Sequence, residues 1–184
     1  MRAFSQLVQN VDQLNDFLVT SQCCADKLYL VQLLSTQSRD SAASLARAIL
    51  ERLPNTHIIG HSTHHVILEG EIINHGCLVC VMEFEQTTLT SAVQHYSFSP
   101  DIDGYDLKQA LQLQDNSKAI ISFSVQIERR DYPVYRVFNT EGPMVSGGLA
   151  QAIDDGCWVL HQDQVYDEAV VAVALHSESL KVWT

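Results

Sequence analysis

Behind Asn10, the apolar residues Val11, Leu14, Phe17 and Leu18 recur at the spacing of a helix face, with the Asn side chain placed to cap it. The stretch LYLVQLL from Leu28 to Leu34 abandons that spacing. Only Gln32 interrupts its apolar run, which predicts a strand covered on both faces. Helical spacing returns at Leu45, Ala46, Ile49 and Leu53, with Asp40 as the expected cap and Pro54 as the stop. His57 to Gly60 then reads as strand, so Leu28 to Gly60 predicts a βαβ crossover, parallel and right-handed. The most polar turn of the chain is expected next, at His61, Ser62, Thr63, His64 and His65.

Downstream the pattern shortens. Val66 to Leu68, Gly70 to Ile73, Leu78 to Phe84 and Ser91 to Ser99 are brief runs separated by Gly and Asn, the signature of antiparallel strands. A helix opening at Asp103 or Gly104 and running through Leu113 precedes a second buried strand, Ala119 to Val125. An Arg129-Arg130 loop follows. Asp131 and Pro133, followed by Val134, Val137 and Phe138, then predict a further helix. Met144 to Ser146 leads into a Gly147-Gly148 turn, and Cys157 to His161 and Ala169 to His176 finish as strands.

The fold class is therefore α/β, with mixed parallel and antiparallel sheets flanked by helices, in one domain over residues 1–184. Two βαβ-like halves can be laid side by side. LYLVQLLS, HIIG with GHST, and GCLVCVMEF correspond to AIISFSV, PMVS with SGGLA, and VVAVAL, an internal pseudo-repeat. The ending in mid-pattern beside Trp183 suggests a piece of a longer protein. An unpaired edge over Lys181 to Thr184 would then invite a homodimer.

Charge narrows the partners. With 11 Lys and Arg against 22 Asp and Glu, the formal charge is −11, and no basic stretch exceeds Arg129-Arg130. Nucleic acid and anionic membranes both require clustered cations, so neither is expected as partner. No apolar run spans a bilayer and no signal peptide opens the chain, which points to the cytoplasm. Five cysteines, an odd number in a chain large enough to fold without staples, fit a reducing compartment. Charged residues make up only 18% of the chain, below the usual share, so part of the surface is expected to be covered by another domain or subunit.

The run from LYLVQLLS to GHST, then LEGEIINHGCLVCVMEF, MVSGGLA and YDEAVVAVALHSESLKV, resembles the N-terminal segment of a FIST domain over roughly residues 28–182. The resemblance implies a cytoplasmic sensory input module that binds small ligands such as amino acids. It also implies a following C-terminal FIST segment and a signalling output domain, a diguanylate cyclase, histidine kinase or chemoreceptor in bacteria. One departure stands out: where many members carry Gly-Glu-Ile directly after Ser-Thr, this chain has His64, His65 and Val66, with Gly70-Glu71-Ile72 later.

Ligands of α/β sheets gather beyond the C-terminal ends of parallel strands. Ser35 to Asp40, His61 to His65, Gln126 to Arg130 and Ser146 to Ala150 are expected there. Their chemistry suits a small zwitterion, with Arg39 or backbone amides for the carboxylate and Asp40 or side-chain oxygens for the ammonium. The expected ligand-binding residues are Arg39, His61, Ser62, Thr63, Gly147 and Gly148, with neither metal nor cofactor and no catalytic residue. Against this stands a purely architectural role for both turns, as tight strand exits where Gly tolerates positive φ.

Two other chemistries are weighed. Gly60-His61-Ser62-Thr63-His64 approximates a nucleophile elbow for a small hydrolase using Ser62 and a nearby His, but His64 replaces the final Gly. His57, His61, His64, His65 and His75 are dense enough to attract divalent metal, without the Cys or carboxylate spacing of a built zinc site. Cys77 and Cys80 form C-x-x-C in letters only, since residues three apart on a strand face opposite sides. A non-enzymatic sensor, a hydrolase and a scaffold or dimerisation module are the readings carried forward.

Overall fold

Two stretches with the apolar runs of doubly covered strands, Leu28–Ser35 and Ala169–His176, lie inside two separate sheets of the computed structural model. The structure describes residues 1–97, 100–125 and 142–182. In chain order its elements are β1 (Arg2–Val8), α1 (Val11–Thr20), β2 (Leu28–Ser35), α2 (Arg39–Arg52), β3 (Thr56–Ser62), β4 (Val66–Leu68), β5 (Glu71–Ile73), β6 (Cys77–Phe84), β7 (Thr88–His95), α3 (Pro100–Ala110), β8 (Ser117–Val125), β9 (Met144–Ala150), β10 (Val159–His161), β11 (Gln164–Tyr166) and β12 (Ala169–His176). The first sheet runs β1-β6-β2-β3-β10-β11, the second β7-β12-β8-β9, and β4 and β5 pair only with each other.

Burial stacks these into helix, sheet, sheet, helix. Leu14, Phe17 and Leu18 of α1 and Leu45, Ala46 and Ile49 of α2 pack on Tyr29, Val31 and Ile58, one face of the first sheet. The opposite face offers Leu30, Ile59 and Val159 to Phe123, Val171, Val173 and Leu175 of the second sheet. Leu107 and Leu111 cover that sheet's outer face at Ala92, Ile120 and Ala172. Alternation along β2 and β12 thus feeds two cores from one strand, and each fully buried Leu, Ile or Val adds about 1.5–3 kcal/mol of burial energy.

The pseudo-repeat is present in the topology. Within the first sheet, β1-β6-β2-β3 has antiparallel, antiparallel and parallel neighbours, and β7-β12-β8-β9 repeats the same order and the same senses. β2 and β8, β3 and β9, β6 and β12 are the corresponding strands. The predicted crossover from Leu28 to Gly60 is parallel as expected.

Several expectations are corrected. β1 was not anticipated, nor was β11. Ser38, not Asp40, caps α2: its hydroxyl accepts from Ser41 N at 3.3 Å, and Asp40 lies in the first turn. α3 begins at Pro100 rather than Asp103 or Gly104, and β7 covers Thr88–His95 rather than Ser91 to Ser99. His61 and Ser62 are the last residues of β3, and Gly147-Gly148 lies inside β9, so neither pair is a turn. β12 is flanked by β7 and β8 and residues 177–182 form no strand, while the rest of the edge expected over Lys181 to Thr184 lies outside the described residues. The helix predicted after Asp131, the Arg129-Arg130 loop and Trp183 lie outside the described residues. Among those described, no helix is long and apolar enough to cross a membrane.

Candidate functional site

The C-terminal ends of β3 and β9 meet. Ser62 is the hinge of that meeting because its neighbours are backbone groups of the second repeat. Gln151 N donates to the Ser62 carbonyl at 2.8 Å, and the Ser62 hydroxyl donates to the Gln151 carbonyl at 2.6 Å and accepts from Trp158 N at 3.1 Å. Thr63 extends the seam: its N–H donates to the Ser35 carbonyl at 2.8 Å, and its hydroxyl lies 3.0 Å from Gln151 Oε1. That same Gln151 oxygen accepts from His64 N at 2.9 Å.

Above this seam lies a cleft of about 460 Å³ lined by Thr36, Ser38, Thr63, His64 and Asn74 from the first repeat and Ala152 to Asp155 from the second. Thr36 is held at the rim because its N–H and hydroxyl both donate to the Gly76 carbonyl at 3.0 Å. The far wall is the turn Ile153 to Gly156, closed by reciprocal backbone bonds at 3.1 and 2.9 Å. Gly156 has φ +96°, a conformation that favours glycine, and a Cβ there would crowd Arg39 Nη2 at 3.3 Å.

The exposed N–H groups at the start of α2 form an anion site, and the protein fills it itself. Asp155 Oδ2 accepts from Arg39 N at 2.7 Å, and Arg39 Nη2 donates to the Asp155 carbonyl at 2.6 Å. The Arg39 guanidinium also lies 2.8 Å from Asp167. Asp155 Oδ1 is buried without a hydrogen-bond partner. With Arg39 matched by two carboxylates, the wall it shares with Asp154 leans acidic, and hydroxyl and imidazole groups supply the rest of the lining.

The expected site residues divide. Thr63 lines the cleft, Arg39 braces its wall, and Ser62 lies fully buried beneath it. A hydroxyl buried there, with its hydrogen given to a backbone carbonyl, does not face the cleft as a nucleophile must. His61 turns between the sheets: its ring centroid is 4.5 Å from that of Phe123, and its Nδ1 is 2.8 Å from the Ser62 carbonyl. Burial pushes its pKa down, partly opposed by that hydrogen bond.

Gly147 and Gly148 line a separate hollow of about 230 Å³ against Ser122 and Leu149. Close approach, and not positive φ, accounts for glycine at Gly147, whereas a Cβ on Gly148 would meet its neighbours at ordinary contact distance. A Cβ on Gly147 would run into the Ser122 carbonyl, and one on Gly148 would reach within 3.8 Å of His61 Nε2. The five histidines weighed as a metal cluster are dispersed, and no metal-holding group of three His, Cys, Asp or Glu exists among the described residues. Cys23, Cys24, Cys77 and Cys80 are free thiols, with Cys77 pushed up to about 12 by burial, and Cys157 Sγ donates to the Ala150 carbonyl at 3.1 Å.

The Ala152 to Cys157 turn, which supplies half of the cleft, escaped the sequence reading. Its signal was the Asp154-Asp155-Gly156 tripeptide, a strong turn sequence that carries carboxylates.

The FIST N domain model matches residues 29–184, taking in the second repeat, the first from β2 onward and every residue of the cleft. The chain belongs to the FIST N domain family. FIST domains are sensory modules of signal transduction. The match begins one residue into β2, so β1 and α1 precede the FIST N region. No curated protein matches the chain.

Proposed function

We propose that this FIST N domain senses a small polar metabolite, an amino acid or another ammonium-bearing molecule, in the cleft between the ends of β3 and β9, without chemically altering it. The observation that carries the reading is the shared construction of the cleft, with Thr63 and His64 from one repeat opposite Asp154 and Asp155 from the other. A volume near 460 Å³ falls in the range of small-molecule sites.

Asp154 and Asp155 suit an ammonium, and the hydroxyls of Thr36, Ser38 and Thr63 suit either end of a zwitterion. A ligand carboxylate would compete with Asp155 for Arg39 and the α2 N-terminus. Exchange of an internal anion for an external one then shifts the Ile153 to Gly156 turn, and differential affinity for the two arrangements drives the shift. The hairpin β4–β5, flanked by His64 and Asn74 of the cleft wall, moves with it. Ser62 and His61 hold the wall from beneath, and Gly147 lets β9 approach β8 at Ser122. The reading places the domain in the cytoplasm of a bacterial signalling protein, upstream of an output domain such as a diguanylate cyclase.

A thermal-shift screen of the chain against the amino acids and small carboxylates, with chelator present, tests this. A selective rise in Tm that Asp154→Asn or Thr63→Val removes is the expected result, since a ligand specific to the folded state must stabilise it. No rise with any of them would favour a scaffold role.

A further inference from the structure

Away from the cleft, two imidazoles from one sheet close on a single hydroxyl from the other. His57 Nδ1, at the start of β3, is 2.8 Å from Ser91 Oγ on β7, and His161 Nε2 on β10 is 3.0 Å from the same oxygen. All three side chains are half-buried.

We propose that His57, Ser91 and His161 form a pH-sensitive latch that closes the two sheets on each other when the imidazoles are neutral and loosens them on acidification. The argument begins with proton counting. A hydroxyl has one hydrogen to give and lone pairs to accept with, so a neutral pair is served fully: Ser91 donates to one imidazole nitrogen and accepts an N–H from the other. A single imidazolium is still accommodated. When both are charged, both nitrogens are donors, the Ser91 hydrogen has no imidazole to meet, and two cations face each other across one oxygen.

Among the described residues, the strands packed on these three offer no carboxylate to offset that charge. The strands that touch β3, β7 and β10, namely β2, β8, β9, β11 and β12, carry Tyr29, Lys118, Tyr166 and His176 as their titratable or charged side chains, with no carboxylate. On the three strands themselves the remaining titratable groups are His61 and His95. Carboxylates occur on α2 (Asp40, Glu51) and α3 (Asp101, Asp103, Asp106), but these helices cover the outer faces of their sheets. Asp163, in the turn after His161, is 3.6 Å from Arg47.

Burial pushes the pKa of His57 down; burial and then the neighbouring His57 push that of His161 down. The sign follows. A base whose folded pKa lies below its unfolded value contributes stability that is complete above the free-histidine range near 6.5 and is lost as pH falls from there through the folded pKa.

The test is an imidazole NMR titration of the intact chain between about pH 5 and 8, paired with denaturant unfolding of the chain and of a His57→Asn/His161→Gln variant. His57 and His161 should titrate below free histidine in two separated steps, with β7 amides exchanging faster, after correction for intrinsic rates, as the second proton binds. The variant should take up about one to two fewer protons on unfolding near pH 5.5. Both imidazoles titrating independently near 6.5, or β7 exchange indifferent to their charge, would overturn the latch. The wild-type titration stands even if the variant does not fold.

Discussion

Each repeat follows its parallel crossover strand with a hairpin of the same build, yet the two hairpins meet different fates. β4–β5 and β10–β11 both pair three residues with three across a two-residue loop whose first residue is left-handed, Glu69 at φ 53° and Gln162 at φ 55°. β10 then pairs with β3 of the other repeat and buries Leu160 completely, whereas β4 pairs only with β5 and leaves Ile67 69% exposed. Local chemistry makes the hairpin, and tertiary contact decides its worth. By crossing to β3, the second repeat carries residues 151–158 over the strand end and creates the cleft. The uncrossed hairpin retains two exposed isoleucines, Ile67 and Ile72, directly opposite each other.

Equivalent truncations in the two hairpins break or sharpen this contrast most sharply. Leu160→Ala should cost about 2–5 kcal/mol in urea unfolding, as for a large residue removed from a core, and Ile67→Ala should stay within about 0.5 kcal/mol. Equal costs would mean that the crossing is not what stabilises the molecule. Ser62→Ala, which strands Trp158 N and the Gln151 carbonyl, comes next at about 1–3 kcal/mol by the same measurement. Gly156→Ala should lose about 1–2 kcal/mol, because a Cβ is disfavoured at positive φ and crowds Arg39. The smallest effect is expected from Asp155→Asn, about 0.3–1 kcal/mol at the α2 N-terminus and reduced further by salt. A loss that ignores ionic strength would argue against the anion-site role.

Much of this was legible in the chain. Periodicity located α1, α2, β2, β3, β6, β8 and β12, and the recurrence of LYLVQLLS with AIISFSV anticipated the repeat. What escaped was decided by partners distant in sequence. β1 carries so few buried residues, with Val8 alone fully enclosed, that no alternation announces it, and pairing with β6 makes it a strand. His61 and Ser62 read as turn because they are polar, but parallel pairing with Leu34 and Ser35 extends β3 through them. Glycines ordinarily weaken strands, yet β9 carries Gly147 in its interior because the approach of β8 at Ser122 leaves no room for a side chain there. Of the cleft lining, residue chemistry singled out Thr63 at the end of β3. The opposite wall required knowing that the Asp154-Asp155-Gly156 turn lies across from it.

Backbone amide shifts during titration with a ligand from the thermal screen test the central claim, a sensory cleft built by both repeats, most directly. The account predicts coincident shifts at Thr36, Thr63, His64 and Asn74 on one side and at Asp154 and Asp155 on the other. Shifts confined to one repeat, or centred on Ser146 to Leu149 around the hollow beside β9, would contradict it.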